Sequence, residues 1–357
     1  PRWTSQVMAV EYTLRRPSMR SASTPAAAAD LLLIRGAPTD RVCWIQVEDG
    51  FTPPRFIVHG TASFLPYVPE ILPRAKQLWL DQLEKPMRLE LQRTPIVNYL
   101  ADADMYDAAL RKADRIVQQM QRPAFNAPAS VLGTRRDLAS QSLADVQGVH
   151  IPRTIRAPAS TDLIAAVERA GLTYPLLVRP TGTHGGVGMV KVDRAEDLAT
   201  AQIRFGEGEV YVTEFVDFAD ADGLYRKHRL VVVGEEVFMR HVIIGETWLL
   251  HAERRAQDTG AEELTALAGF EESPPPAIRT AMLGIARTLG LDYFGVDCSI
   301  RPDGQVLVFE ANACMNILLN SAPSPNMWDA PIAAILAALR RLLDEPGRWR
   351  GQPAAAA

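Results

Sequence analysis

The chain has 357 residues, of which 47% are hydrophobic and 22% are charged, and its formal net charge is −4. This length and composition are typical of a globular protein with two or three packed lobes, and the acidic balance argues against nucleic acid as a partner. Three scattered cysteines, Cys43, Cys298 and Cys314, do not form a disulfide framework and indicate a reducing cytoplasm. The longest apolar run, residues 331–339, is too short to cross a membrane, so we expect no membrane partner.

The first part of the chain alternates strand-like and helical patterns. Residues 1–29 are rich in Arg, Ser and Ala, and we interpret them as a disordered tail, with a transit peptide as the alternative. Apolar strands then alternate with an amphipathic helix, for which Asp104 is the predicted N-cap. The pattern predicts a small open α/β lobe over residues 30–132.

The rest of the chain mixes helices with strands that read as hairpins. We assign residues 133–208 and 209–346 to two α+β subdomains and residues 347–357 to a tail. A helix is predicted at about 134–145 near the start of the first subdomain, and another ends at Gly290, a favoured C-cap residue.

Residues 291–316 carry the most informative pattern. A turn at 301–304 makes positions whose numbers sum to about 606 face each other in a hairpin. Asp297 and Glu310 are then cross-strand neighbours or one step off, and Asn312 shares their face of the sheet. Two carboxylates and an amide oxygen are the ligands that Mg²⁺ prefers. A solvated hairpin face with unrelated acids is the alternative.

A glycine-rich segment, GTHGGVG at 182–188, lies between two predicted strands. Its glycines let the backbone approach a ligand and direct N–H groups at phosphates, but it has no Walker spacing and no following helix. We interpret it as a flap that closes over a triphosphate, with Arg179 offering its guanidinium to phosphate oxygens. Thr183 and His184 at its tip are expected to face solvent. A plain glycine-rich hairpin is the alternative.

Two further strands offer groups to a nucleotide. The segment VYVTEFV at 210–216 can present backbone donors and acceptors to an adenine edge, although an ordinary edge strand fits it as well. In YRKHR at 225–229, Lys227 and Arg229 share one face of the strand. That face is either a solvated edge or, beside a nucleotide, a phosphate clamp.

The order of these elements resembles the ATP-grasp superfamily over roughly residues 133–320, and the first lobe is similar to the domain that precedes the ATP-grasp domain. The segments NAPASVLGTRRDLASQSL and ADGLYRKHRLVVVG are most similar to ATP-grasp domains that accompany tetratricopeptide repeats in bacterial proteins. The resemblance implies the ATP-grasp fold, in which two α+β subdomains clasp ATP, with Mg²⁺ as the metal.

The resemblance also implies roles for individual residues. The implied metal ligands are Asp297, Glu310 and Asn312, and the implied catalytic residues are Lys227, Arg229 and His241. The implied nucleotide-binding residues are Arg136, Arg179, Gly182, Thr183, Gly185, Gly186, Glu214, Val216 and Asp222. Arg136 and Arg179 stand where the family has two lysines, which keeps the charge and alters the geometry. The ribose-binding acid stays open between Asp217 and Asp222.

One segment departs from the family pattern. Many ATP-grasp ligases have a loop rich in Arg and Asn between the basic strand and the metal site, whereas this chain has MRHVIIGETWLLHAERR at 239–255. The candidate replacements are His241, His251, Arg254 and Arg255.

The activity that the resemblance implies is ATP-dependent ligation of a carboxylate to an amine, with release of ADP and phosphate. Positioning, Mg²⁺ and positive charge supply this chemistry without a protein nucleophile. Amino acids and peptides are among the candidate substrates. The alternatives are a small-molecule kinase and a non-catalytic ATP-binding module of a partner complex, which the missing loop favours. The oligomeric state is open, with a homodimer among the choices.

Overall fold

The computed structural model describes residues 30–48, 54–82, 94–251 and 254–353, so the predicted tail at 1–29 lies outside the described residues. The described parts contain a four-stranded parallel sheet, a four-stranded antiparallel sheet, a five-stranded mixed sheet and a two-stranded hairpin. The predicted fold class, an α/β lobe followed by α+β parts, is confirmed. Within these ranges, no helix combines the length and apolar character needed to span a bilayer.

The first lobe is built on the parallel sheet. Its elements in chain order are β1 (Leu31–Arg35), β2 (Ile45–Glu48), β3 (Arg55–Val58), β4 (Ala75–Trp79), β5 (Ile96–Asn98), α1 (Asp107–Met120) and β6 (Ala124–Phe125). The sheet order is β4-β1-β5-β6, and β2 and β3 form a separate antiparallel hairpin. The four leading residues of β1 are at most 2% exposed. A continuous apolar run of this kind is typical of a parallel strand that is covered on both faces.

Helix α1 begins three residues after its predicted cap. Its N-cap is Tyr106, which makes no side-chain cap hydrogen bond, so the prediction for Asp104 is wrong. Asp104 instead accepts hydrogen bonds from the Tyr211 hydroxyl at 2.8 Å and from Arg156 at 3.0 Å. The carboxylate of Asp104 binds these partners instead of capping the helix, because a charge-assisted hydrogen bond from a guanidinium is stronger than one from a backbone N–H.

The second part of the chain contains the antiparallel sheet and the helices α2 to α5. Its elements are α2 (Pro128–Leu132), α3 (Arg136–Ser142), β7 (Val149–His150), β8 (Thr154–Pro158), α4 (Leu163–Ala170), β9 (Leu176–Pro180), β10 (Val190–Val192), α5 (Ala195–Gln202) and β11 (Glu209–Glu214). The sheet order is β10-β9-β11-β8, and α4 and α5 share a separate hydrophobic core with it. The helix predicted at 134–145 is the shorter α3, preceded by α2.

The third part contains the mixed sheet. Its elements are β12 (Tyr225–Val233), β13 (Glu236–Gly245), α6 (Gly260–Glu272), α7 (Pro276–Leu289), β14 (Tyr293–Ile300), β15 (Val306–Asn312) and α8 (Asp329–Leu343). The sheet order is β13-β12-β14-β15-β7, in which only the β15–β7 pair is parallel. Helix α7 ends at Gly290 in the left-handed conformation, with φ +68°, so the predicted C-cap is confirmed.

The segment after α8 returns to the first lobe. Trp349, which lies in the predicted tail, is 1% exposed, and its ring centroid is 5.6 Å from that of Phe125. Gly351 forms a β-bridge with Ala124. Burial of a large aromatic ring therefore holds the beginning of this segment against the parallel sheet.

Candidate active site

The β14–β15 pair, which we call the acidic ribbon, places the two predicted acids opposite each other. Ile300 pairs with Val306, as the predicted register requires, whereas Asp297 pairs directly with Glu310. The difference of one residue is a β-bulge at Phe309, which gives β15 one residue more than β14 at this point. The predicted cross-strand pairing of the two carboxylates is confirmed.

Two cations from β12 neutralise Asp297. The carboxylate is 7% exposed and accepts two hydrogen bonds from Arg229, at 2.8 and 3.0 Å, while Lys227 Nζ lies 3.5 Å away. Burial by itself disfavours the ionised form, but the charges of Arg229 and Lys227 hold the pKa of Asp297 below its usual value. The prediction that Lys227 and Arg229 share a face is confirmed, because both contact the same carboxylate.

Glu310 is held by groups from three parts of the chain. Its Oε1 lies 2.6 Å from Arg136 Nη2 and 3.5 Å from His184 Nδ1, and Asn312 Nδ2 donates to it at 2.5 Å. Burial opposes ionisation, yet Arg136 and His184 keep the pKa of Glu310 well below its usual value. The structure therefore brings Glu310 and Asn312 into contact on the strand that pairs with Asp297.

A cleft between the antiparallel and mixed sheets opens beside the ribbon. Nine of the predicted site residues line it: Arg136, Arg179, Gly185, Gly186, Glu214, Val216, Lys227, Asp297 and Glu310. Away from the charges the wall is aromatic, with ring centroids 5.6 Å apart for Phe215 and Trp248 and 4.7 Å apart for Phe218 and Phe309. One end of the cleft thus suits an anion and the other a flat apolar ring.

Arg136 and Arg179 each carry a buried N–H without a hydrogen-bond acceptor among the described residues. Arg179 Nε has none, and Arg136 Nη2 is not aligned for a hydrogen bond to Glu310 despite their proximity. Burial and the neighbouring charge of Arg136 lower the pKa of Arg179 to about 10. Buried donors normally have partners, so two open guanidinium donors on one cleft favour an anionic ligand such as phosphate.

The flap connects β9 to β10. It lies against the end of the segment 239–255, which differs from the family pattern. Gly185 and Gly186 have φ of +65° and +73°. A Cβ on Gly185 would lie 2.9 Å from His251 Cε1, and one on Gly186 would lie 2.9 Å from Leu249 Cδ1. Lys227 Nζ donates to the carbonyl of Leu250 at 2.9 Å. The segment that replaces the family's loop therefore lies under the flap, which glycine allows to approach closely.

The first lobe holds the flap through two acids that sequence reasoning missed as site residues. Asp104 accepts from the backbone N–H of Gly182 at 3.2 Å, and Asp102 lies 2.5 Å from His184 Nε2. Burial alone would lower the pKa of His184, but Asp102 and Glu310 raise it to about 9. His184 thus contacts two carboxylates, although its side chain is 42% exposed. The available signal was the position of both acids four and six residues after the parallel strand β5, since ligand sites often form beyond the carboxyl ends of such strands.

Thr183, which was predicted to lie at the tip with His184, instead contacts residues at the base of the flap and does not line the cleft. Its carbonyl accepts from Arg179 Nη2, and its hydroxyl donates to the carbonyl of Pro180 at 2.8 Å. These bonds fix the guanidinium of Arg179 against the flap.

Several other predicted residues have different surroundings. Asp222 is exposed, does not line the cleft, and binds Arg226, whose hydrogen bonds lower the pKa of Asp222 to about 2. Glu214 lines the cleft, but its carboxylate is bound by Arg153 at 2.7 Å and by the N–H of Thr173 at 2.9 Å. The structure therefore does not bring Asp222 to the side chains that line the cleft, because Arg226 holds it on the exterior.

His241 and Arg229 are β-sheet partners on the face that carries Asp297. Arg229 is fully engaged, since it also donates to the carbonyl of Asn316 at 2.9 Å. His241 Nε2 is buried without a partner among the described residues, and burial together with Arg229 lowers the pKa of His241 well below its usual value. Arg255, another candidate replacement, donates to the carbonyl of Val242 and pairs with a buried acid.

Comparisons with known proteins give distant relatives. No family model matches the sequence. A D-alanine–D-alanine ligase of Bifidobacterium longum strain DJO10A is 24% identical over 202 residues, which are 52% of this chain and 50% of that protein. The chain thus spans about half the length of the curated relatives that it matches.

Two solved structures of lower identity are also similar. The D-alanine–D-alanine ligase of Bacillus anthracis complexed with ATP is 15% identical, with a TM-score of 0.49 and coverage of 90% of this chain and 99% of that one. The ATP-grasp ligase PsnB complexed with precursor peptide PsnA2 and AMPPNP is also 15% identical, with a TM-score of 0.47 and coverage of 89% and 100%. The curated relatives are D-alanine–D-alanine ligases, and this similarity supports the resemblance to the ATP-grasp superfamily that the motifs predict.

Proposed function

We propose that the protein is an ATP- and Mg²⁺-dependent ligase that joins a carboxylate to an amine. A carboxylate oxygen of the first substrate attacks the γ-phosphorus of ATP, and ADP leaves. The amine then attacks the acyl carbon of the acylphosphate, loses a proton and displaces inorganic phosphate. Both steps require orientation and charge stabilisation more than a nucleophile from the protein.

The observation that carries this proposal is the cross-strand pair of Asp297 and Glu310 on a cleft beneath a glycine flap, with Asn312 in contact with Glu310. Their side chains supply oxygen atoms, which is the donor set that fits Mg²⁺. When bound, Mg²⁺ neutralises and orients phosphate oxygens. Its binding requires the two carboxylates to give up part of their pairing with Arg229 and Arg136.

The remaining roles follow from the lining of the cleft. Arg136 and Arg179 direct their open donors at phosphate oxygens, and Lys227 holds the γ-phosphate from beside Asp297. The aromatic wall accommodates adenine next to the backbone of Val216. The flap excludes water from the phosphates when it closes, which protects the acylphosphate from hydrolysis.

The test is ADP release measured with a panel of carboxylates and amines. We expect release to require both Mg²⁺ and a carboxylate and to be abolished by Glu310→Gln. Glu236→Gln is the matched control. Glu236 is an exposed acid of β13, away from the ribbon, and pairs with Arg341 of α8. Magnesium-independent turnover, or full activity of Glu310→Gln, would contradict the proposal. A stable phosphorylated product without consumption of the amine would instead identify a kinase.

One observation favours a second candidate, a nucleotide-binding module without turnover. Arg229 engages both oxygens of Asp297, and Arg136 lies against Glu310, so each acid already has a buried counter-ion. A module of this kind would bind ATP equally well with and without Mg²⁺. Calorimetric titration with ATP in EDTA and in Mg²⁺ separates the two candidates, since the ligase requires tighter binding with the metal.

A further inference from the structure

A second cluster of metal-binding side chains lies where the tip of the flap meets the first lobe. Asp102 follows β5, His184 belongs to the flap, and Cys314 follows β15. His184 Nε2 is 2.5 Å from Asp102 Oδ2, and Cys314 Sγ is 3.7 Å from the same oxygen. The nitrogen, sulfur and oxygen atoms all lie within 4.8 Å of one another. Three separate parts of the chain thus supply one compact donor set.

An oxygen, a nitrogen and a sulfur ligand together suit zinc rather than magnesium. Zinc binds sulfur at about 2.3 Å and nitrogen or oxygen at about 2.0–2.2 Å, so tetrahedral ligand atoms lie roughly 3.3–3.7 Å apart. Cys314 and Asp102 already have this separation. His184 must withdraw from Asp102 by roughly 1 Å on this geometry, which its place beside Gly185 in the flap permits.

The groups around the cluster are arranged as they are around known zinc ligands. A histidine that binds zinc through one ring nitrogen usually donates its other N–H to a carboxylate, and His184 Nδ1 lies 3.5 Å from Glu310 Oε1. Asp102 Oδ1 accepts from the backbone N–H groups of Asp104 and Met105, both at 2.8 Å. These bonds fix the carboxylate and leave Oδ2 directed at the other two ligands.

The site also has room for a fourth ligand. Asp102, His184 and Cys314 all line one small cavity, which adjoins the larger cleft at Arg136 and Glu310. A water molecule in that cavity would complete a tetrahedron. Asp297, Glu310 and Asn312 offer oxygen atoms to a metal, whereas this cluster adds a thiol and an imidazole, so the two donor sets differ in chemistry.

We propose that Asp102, His184 and Cys314 bind a zinc ion that fastens the flap to the first lobe. A zinc ion held there joins residues from the first lobe, the flap and the segment that follows the ribbon. It would therefore keep the flap in one position and slow the exchange of any ligand beneath it. The inference does not depend on the ligase proposal, because it concerns a protein without nucleotide.

The test is titration of the full chain with Co²⁺, followed by displacement with Zn²⁺, in the absence of nucleotide and with a reductant that contains no thiol. We expect one equivalent of Co²⁺ to produce thiolate-to-cobalt charge-transfer absorption, which Zn²⁺ removes. Cys314→Ser should abolish this absorption. Cys43→Ser is the matched control and should retain it, because Cys43 is an exposed cysteine of the first lobe.

Two further variants test the other ligands. His184→Ala and Asp102→Asn should each weaken Zn²⁺ binding by more than about tenfold, as measured by competition with a chromogenic chelator. Circular dichroism checks that each variant is folded. The proposal is overturned if the wild-type protein shows no charge-transfer absorption, or if the absorption persists in Cys314→Ser. Failure of the ligase assay leaves these spectra unchanged, so the two proposals fail independently.

Discussion

The acidic ribbon and the flap are both antiparallel hairpins, but different forces hold them. In the ribbon, Asp297 and Asn312 are each 7% exposed, and strands lie on both sides of the β14–β15 pair. In the flap, Val187 is 66% exposed, and the tip contacts the first lobe through the polar side chains of Asp102 and Asp104. The buried ion pairs therefore lie on the more enclosed hairpin, and the more exposed hairpin is the one that the proposed function requires to open.

The largest effect is expected for the ribbon. Asp297→Asn leaves Arg229 and Lys227 without their shared carboxylate, and breaking a buried ion pair costs about 3–5 kcal/mol. We expect the free energy of unfolding in urea to fall by that amount and ADP formation to be lost. Asp222→Asn, which affects an exposed acid bound to Arg226, should lower the free energy of unfolding far less. Equal losses in the two variants would show that the buried ion pairs of the ribbon stabilise the fold no more than an exposed pair does.

The next effect concerns the flap. Gly186→Ala places a methyl group 2.9 Å from Leu249 and should prevent full closure, so we expect kcat/KM for ADP formation to fall by about 10- to 100-fold. Gly223→Ala is the matched control, since Gly223 also has a positive φ, of +81°, but no heavy atom lies within 4 Å of an added Cβ. Both variants should lose about 1–2 kcal/mol of stability from backbone strain. An equal loss of activity in Gly223→Ala would show that the contact with Leu249 is not the cause.

A smaller, pH-dependent effect is expected at the start of the ribbon. Asp292 accepts from the N–H groups of Asn126 and Arg350, and burial raises its pKa to about 6 despite these bonds. The folded protein therefore holds this proton more tightly than the unfolded chain does. The stabilisation is complete below a pH of about 4 and is lost as the pH rises through about 6.

The corresponding variant is Asp292→Asn, which removes this titration. We expect its free energy of unfolding, relative to the wild type, to increase by about 1–2 kcal/mol between about pH 4.5 and 7.5. Urea denaturation at the two pH values measures the change. If the difference in the free energy of unfolding between the variant and the wild type were the same at both pH values, the titration of Asp292 would not contribute to stability.

The smallest effect is expected at the aromatic end of the cleft, where we propose that adenine binds. Arg153 is half exposed and holds Glu214 at 2.7 Å, so Arg153→Gln should change stability and ATP affinity only slightly. Calorimetry with ATP measures the affinity. A larger loss would mean that the carboxylate of Glu214, rather than the backbone beside it, recognises the adenine ring.

The sequence predicted the ribbon better than the flap for a physical reason. The turn at 301–304 and the alternation along two strands determine which residues of a hairpin face each other, so Asp297 and Glu310 could be paired from their numbers. The bulge at Phe309 was not predicted, because it depends on how the strand packs in the sheet. The contacts of His184 with Asp102 and Glu310 join segments 82 and 126 residues apart along the chain, and no local pattern predicts them.

The central claim is that the acidic ribbon binds a divalent metal ion and that this binding requires a nucleotide. Its most direct test is titration with Mn²⁺, detected by electron paramagnetic resonance, with and without a non-hydrolysable ATP analogue. We expect tight binding of Mn²⁺ by the wild-type protein only when the analogue is present, and loss of that binding in Glu310→Gln with unchanged circular dichroism. Tight nucleotide-dependent binding that persists in Glu310→Gln would contradict the claim.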